Sequence, residues 1–263
     1  MKNTPENFVE HCKALRLKHI ADHYHQMVQK AEQQNMGFYE FLADVIQIEA
    51  QAKIERSIQY RIRQSKLPQP LKLLADFDFS FQVHLRKKLI MDLASLEFLK
   101  ARESILFIGD CGTGKSHLAQ SLALIACQKG YRVFYTTCAG LITDLNLGVY
   151  EKTLAKRLKK YITPDLLVID EMGHDRLELE VTKEAHLLFK VIDQRYNANA
   201  SLIFTTNVPE PEWADYLGDP ISTRAILDRI FHRSIKIEIY GPSYRQHEGQ
   251  KLQEKYNTLA GKA

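Results

Sequence analysis

Apolar positions along the chain recur with two different periods, and the change from one to the other divides it. Near the start, Thr4 and Pro5 have the form of a helix cap followed by a first-turn proline. Leu17, Ile20, Ala21, Tyr24, Met27 and Val28 then recur three and four apart, which predicts one amphipathic helix reaching the low thirties, with Gly37 as the break. A second helix is predicted from Phe38, turning Phe41, Leu42, Val45, Ile58 and Ile62 inward and ending before Leu67 and Pro68. The stretch LPQPLKLLADFDFSFQ, residues 67–82, reads as a linker that packs. Leu85, Leu89, Leu93, Leu96 and Leu99 predict a further helix.

Beyond residue 104 the pattern shifts to short apolar runs of the kind that form buried strands: Ile105–Ile108, Arg132–Cys138, Leu166–Ile169, Ser201–Thr206 and the alternating Ser234–Ile239. Helical patterns separate them, through Leu118, Leu122, Ile125 and Ala126 up to Gly130, through 139–161, and through Ala185, Leu188, Phe189 and Ile192. Strands alternating with helices predict a three-layer α/β domain with a parallel sheet, preceded by a small all-helical domain. The expected division is a small helical domain over 1–66, a linker over 67–82, an α/β domain over 83–247 and a polar tail over 248–263.

The first of these strands runs into ILFIGDCGTGKS, a P-loop in its expected setting between a strand and a helix. A loop wrapped round a phosphate must turn successive N–H groups inward, and Gly109, Gly112 and Gly114 can take the backbone angles this needs. The helix behind adds positive potential at its first turn. Lys115 is placed to reach the β- and γ-phosphates and Ser116 to contact magnesium. The expected nucleotide-binding set is Gly109, Asp110, Cys111, Gly112, Thr113, Gly114, Lys115, Ser116 and His117, with ATP and Mg2+ as cofactors. LLVIDE, residues 166–171, ends an apolar run in two acids, which is costly unless they serve something. Asp170 belongs with the magnesium ion, and Glu171 is placed to polarise a water for attack on the γ-phosphate. Asn207, just past the fourth strand, either reaches that water and the γ-phosphate or is a turn residue before Val208 and Pro209.

Charge changes the picture only where it clusters, since the net charge of +4 on 263 residues is mild. Lys53, Arg56, Tyr60 and Arg63 share a helix face, with Arg61 and Lys66 close by, and only Glu55 offsets them. Lys152, Lys156, Arg157, Lys159 and Lys160 follow in KTLAKRLKKY with no acid among them. Two such clusters are candidates for neutralising nucleic-acid phosphates. Composition, 45% hydrophobic and 26% charged, is that of a globular domain, and no apolar run has the length of a membrane span, so a cytoplasmic protein without a membrane partner is expected. Cys12, Cys111, Cys127 and Cys138 form no C-x-x-C pair and are read as reduced thiols.

Taken with the chain length, GDCGTGKSHLAQSLA, LLVIDEMG, the strand to Asn207, ILDRIFHRS and GPSYR resemble the IstB family, helper ATPases of insertion-sequence transposition. That family is similar to DnaC helicase loaders and more distantly to DnaA initiators, all within the AAA+ branch of P-loop ATPases. The resemblance implies that Asn207 is the first sensor and that Arg229 is the arginine finger serving a neighbouring subunit, with Arg224 and Arg233 as alternatives. It further implies an ATP-dependent homo-oligomer on duplex DNA that recruits and stimulates a cognate transposase. Only residues 240–263 follow the last strand, so the lid domain is expected to be largely absent, and Arg245 receives no catalytic role. Three other functions compete: a helicase loader, a small-molecule kinase, and a GTPase, which D-E-M-G at 170–173 would permit although the chain carries no N-K-x-D or T-K-x-D.

Overall fold

The computed structural model describes residues 4–173, 181–213 and 220–260. The chain divides into two compact units, Met1–Tyr60 and Arg61–Ala263.

In the first unit Thr4 caps helix α1 (Pro5–Ala14), its side chain accepting from the Asn7 N–H. The single helix expected to the low thirties is two, because Arg16 takes a left-handed backbone (φ 58) and α2 runs from Lys18 to Gln33. Apolar spacing carries across that break, so periodicity alone could not reveal it. No side chain of its own caps α2; Glu49, buried on α3 (Phe38–Ser65), does so from a distance. One Glu49 oxygen accepts from the Ile20 N–H at 2.9 Å and the other from Arg56 at 2.8 Å. Burial alone would raise the Glu49 pKa, but the Ile20 N–H and Arg56 hold it below the ordinary carboxylate value.

In the second unit the helix expected through Leu85–Leu99 is likewise split, into α4 (Lys87–Ala94) and α5 (Glu97–Lys100), by the left-handed Leu96. The α/β domain follows as β1 (Ser104–Gly109), α6 (Lys115–Gln128), β2 (Val133–Thr137), α7 (Cys138–Tyr150) and α8 (Leu154–Ile162). It continues with β3 (Leu166–Met172), α9 (Val181–Asn197), β4 (Ser201–Thr206), α10 (Pro220–His232), β5 (Ser234–Ile239) and α11 (Tyr244–Ala260). The helix expected over 139–161 is the pair α7 and α8, parted where Lys152 is left-handed. Helix α11 takes in residues 248–260, most of the expected polar tail of 248–263.

All strand pairs are parallel, in the order β2-β3-β4-β1-β5. Central strands β1, β3 and β4 are buried almost throughout, as both faces of a parallel sheet must be when helices cover them. Leu106, Ile108, Leu167, Ile169 and Phe204 join one core with α7, α8, α9 and α10, while α6 packs across β1 to β4. This is the expected three-layer domain, and it brings the carboxyl ends of β1, β3 and β4 together. Among the described residues no helix is long and apolar enough to cross a membrane.

Candidate functional site

Each part of the site hangs on a strand end. At β1 the chain leaves through Gly109, whose backbone (φ 148) passes so close to β5 that an added Cβ would lie 1.9 Å from the Ile239 carbonyl oxygen. Gly112 (φ 80) abuts Ser243 in the same way, and its carbonyl accepts from the Tyr244 N–H at 3.0 Å. The loop is thereby fixed to the turn that starts α11. Lys115, the first residue of α6, donates to the Gly109 and Asp110 carbonyls at 2.8 and 2.6 Å. Burial lowers its pKa, Arg245 pushes the same way, and Cys111, Asp110 and Asp170 partly offset them.

At the end of β3, Asp170 is fully buried while Glu171 is exposed, so only one of the two acids carries the cost of burial. That cost is met by donors: Ser116 Oγ at 2.9 Å, the Thr205 hydroxyl, the Glu171 N–H at 3.1 Å and the Tyr135 hydroxyl at 2.5 Å. Glu171 itself is left-handed (φ 61) and sits where the β3–β4 register shifts, so a bulge turns its side chain away from the strand's regular alternation. At the end of β4, Asn207 Nδ2 approaches Cys111 Sγ at 3.5 Å. The turn beyond is held by the fully buried Trp213, which donates to the Val208 carbonyl at 2.9 Å.

Cys111 through His117, Glu171 and Asn207 line one cavity of about 580 Å3, large enough for a nucleotide. Three groups of residues that the sequence did not assign also line it. Asp76, Phe77, Phe81 and Gln82 come from the stretch expected only to link, which is tied down where the Leu73 carbonyl accepts from His117 Nε2 at 2.7 Å and the Lys72 carbonyl from Ser121 at 3.0 Å. Thr205 comes from β4, and Tyr244, Arg245 and Glu248 come from α11. The aromatic run FDFSF was the available signal for the first group; for Arg245 the expectation of a largely absent lid argued the other way.

A magnesium ion fits the donor set. Ser116 and Asp170 present hard oxygen ligands side by side, and no cluster of three or more His, Cys, Asp or Glu capable of holding a metal occurs among the described residues. Such a pair suits an ion that takes its remaining ligands from phosphates and water.

Arg229 lies elsewhere. It lines a small cavity with Ser104, Leu202 and Ser234, at the amino ends of the strands and so at the far end of the sheet from the nucleotide cavity. Its guanidinium pairs with Asp193 at 2.8 Å and lies over Phe189. Arg233 donates to Asn199, and Arg224 is exposed.

The basic clusters are partly neutralised by acids lying just outside them in the sequence. Arg56 is paired with Glu49, while Lys53 and Tyr60 are exposed in the first unit and Arg63 in the second. On α8, Arg157 and Lys160 both pair with Asp144 of α7, and Arg157 also pairs with Glu151. Lys152, Lys156 and Lys159 remain exposed.

Residues 10–252 match the model of the family described as IstB-like ATP binding protein. The chain belongs to that family. It is 37% identical over 250 residues to the ATP-binding protein of insertion sequence IS5376 from Geobacillus stearothermophilus, covering 95% of this chain and 98% of the relative. With the ATP-binding protein of insertion sequence IS21 from Pseudomonas aeruginosa it shares 33% over 237 residues, 90% of this chain and 88% of the other. Among solved structures, AMPPCP-bound DnaA from Aquifex aeolicus matches with a TM-score of 0.52 and 20% identity, over 73% of this chain and 57% of that one. This IstB-family chain therefore has the AAA+ fold and belongs with ATP-binding proteins.

Proposed function

We propose that this IstB-family chain is an ATP-hydrolysing helper of insertion-sequence transposition that assembles on duplex DNA and recruits and stimulates its cognate transposase. The observation that carries the hydrolytic part is the convergence of Lys115, Ser116, Glu171 and Asn207 on one cavity, with Asp170 bonded to Ser116 just behind its wall. The part concerning transposition rests on the near full-length likeness to insertion-sequence proteins.

In this reading the loop N–H groups and Lys115 hold the phosphates, and Arg245 adds a second cation from α11. Ser116 and Asp170 hold Mg2+, which when bound neutralises charge on the phosphates. Glu171 takes the proton of the attacking water and Asn207 orients that water. Arg229 serves the nucleotide of a neighbouring subunit, which makes hydrolysis conditional on assembly, by about 10³- to 10⁵-fold in P-loop enzymes. Its position at the far end of the sheet agrees with action on another subunit's nucleotide.

Phosphate release with and without duplex DNA tests this directly. Wild type is expected to be stimulated by DNA, Glu171→Gln to bind ATP but release phosphate about 10²-fold more slowly or worse, and Lys115→Ala not to bind ATP. Unchanged turnover in Glu171→Gln removes that residue from the mechanism.

A further inference from the structure

Asp170 is held by more than the loop it serves. Its Oδ1 collects Ser116 Oγ from α6, the Thr205 hydroxyl from β4 and the Glu171 N–H, while its Oδ2 has the Tyr135 hydroxyl at 2.5 Å. Tyr135 stands on β2, the strand beside β3, two residues before Thr137, which is the register partner of Asp170. Its ring is buried, and its oxygen lies 3.5 Å from the Gln120 amide of α6. The hydroxyl thus reaches along the sheet toward the end of β3 and meets the carboxylate at the oxygen that Ser116 does not use.

We propose that Tyr135 is a positioning residue for Asp170, fixing the carboxylate so that its Oδ1 faces Ser116 and the metal. The inference rests on the reading of Ser116 and Asp170 as the magnesium site. Ser116, Thr205 and the Glu171 N–H all act on Oδ1; without Tyr135 the buried Oδ2 would have no donor, which would favour rotation of the carboxylate about its Cβ–Cγ bond to find one. A donor on the second oxygen locks it. Outer partners of this kind typically carry 10- to 100-fold in metal affinity. A purely structural hydrogen bond would instead change thermal stability and leave metal affinity alone.

The test uses the full chain with a non-hydrolysable ATP analogue and Mn2+ as the metal probe, free Mn2+ being read by paramagnetic resonance. Tyr135→Phe keeps the ring and removes only the hydroxyl. It is expected to weaken Mn2+ binding about 10-fold, to leave analogue binding without metal unchanged, and to raise the Mg2+ requirement of hydrolysis more than it lowers kcat. Asp170→Asn serves as the reference and is expected to lose metal binding almost entirely. Wild-type Mn2+ affinity in Tyr135→Phe alongside a defective Asp170→Asn overturns the role of Tyr135 and spares the metal site. Wild-type affinity in both removes the metal site and the role of Tyr135 with it. Should Tyr135→Phe melt at a temperature too low to assay, Gln120→Leu decides in its place: it removes the amide beside the hydroxyl, and weaker Mn2+ binding supports the proposal where unchanged binding overturns it.

Discussion

A buried carboxylate and a left-handed glutamate stand next to each other at the end of β3, and their neighbourhood separates what they do. Asp170 has no exposed surface and four donors, so it is fixed; Glu171 has a strained backbone and an exposed side chain, so it is presented to the cavity. Strain of this sort costs on the order of 1–3 kcal/mol and persists where surrounding bonds impose it. Here the Glu171 N–H is held by Asp170 and by Thr205 Oγ at 3.0 Å. Glu171→Gly is accordingly expected to stabilise the fold slightly, or leave it unchanged, while abolishing hydrolysis; a melting curve and a phosphate-release assay on one preparation check both halves. Arg195 shows the opposite balance at the other end of the sheet. Fully buried, with its pKa pushed down to about 10 by burial, it donates to the Tyr161, Ile162, Pro164, Asp165 and Ser201 carbonyls. Arg195→Ala would leave those carbonyls short of donors, and a loss of about 3 kcal/mol in urea unfolding is expected.

Helices α2 and α8 owe their anchoring to acids carried on a neighbouring helix. Glu49 caps α2 and holds Arg56, with its folded pKa below the ordinary value. A lowered carboxylate pKa contributes stability that is fully present above the ordinary glutamate range and is lost as pH falls through the folded value. Glu49→Gln is expected to cost about 2 kcal/mol near neutrality and to flatten the acid limb of the stability curve; an acid limb identical to wild type would contradict this. On α8, Asp144 engages Arg157, Lys160 and the Tyr161 hydroxyl, which leaves Lys152, Lys156 and Lys159 exposed and outside those ion pairs. Alanine at Lys152, Lys156 and Lys159 is expected to lower the slope of log affinity for duplex DNA against log salt by about 2 to 3, near one for each phosphate no longer neutralised. Alanine at Arg157 is expected chiefly to destabilise α8. Equal effects on the slope from both changes would contradict that separation.

These elements also explain what was legible beforehand. The strands, the P-loop and Asp170 were readable because short apolar runs and glycine spacing are local signals. The three helix breaks at Arg16, Leu96 and Lys152 were not, because each is a non-glycine residue in a left-handed conformation within a continuing apolar period. Pairings such as Glu49 with Ile20, Asp144 with Arg157, and Tyr135 with Asp170 join residues that only the fold brings together. Arg245 received no role because a lid was expected to be largely absent; it lines the cavity from just beyond the turn at Ser243 and Tyr244, which is latched to Gly112.

For the molecule as a whole, the nucleotide cavity opens at the carboxyl ends of the strands while Arg229 lies at the amino ends. In the proposed reading, a chain built this way completes its catalytic set only beside another copy. Arg229→Ala is expected to bind ATP like wild type but to hydrolyse it at least about 10²-fold more slowly, and adding Lys115→Ala subunits, whose own hydrolysis is dead but whose Arg229 is intact, is expected to restore part of the rate. Failure of that mixture to recover activity would move the finger to Arg224 or Arg233 or remove it.

Sedimentation of the full chain on duplex DNA, with ATP, without nucleotide, and with Glu171→Gln as the trapped form, tests the central claim most directly. The expected result is a discrete large assembly that needs both ATP and duplex and that Glu171→Gln stabilises. A single small species, indifferent to nucleotide and to DNA in every combination, would contradict it.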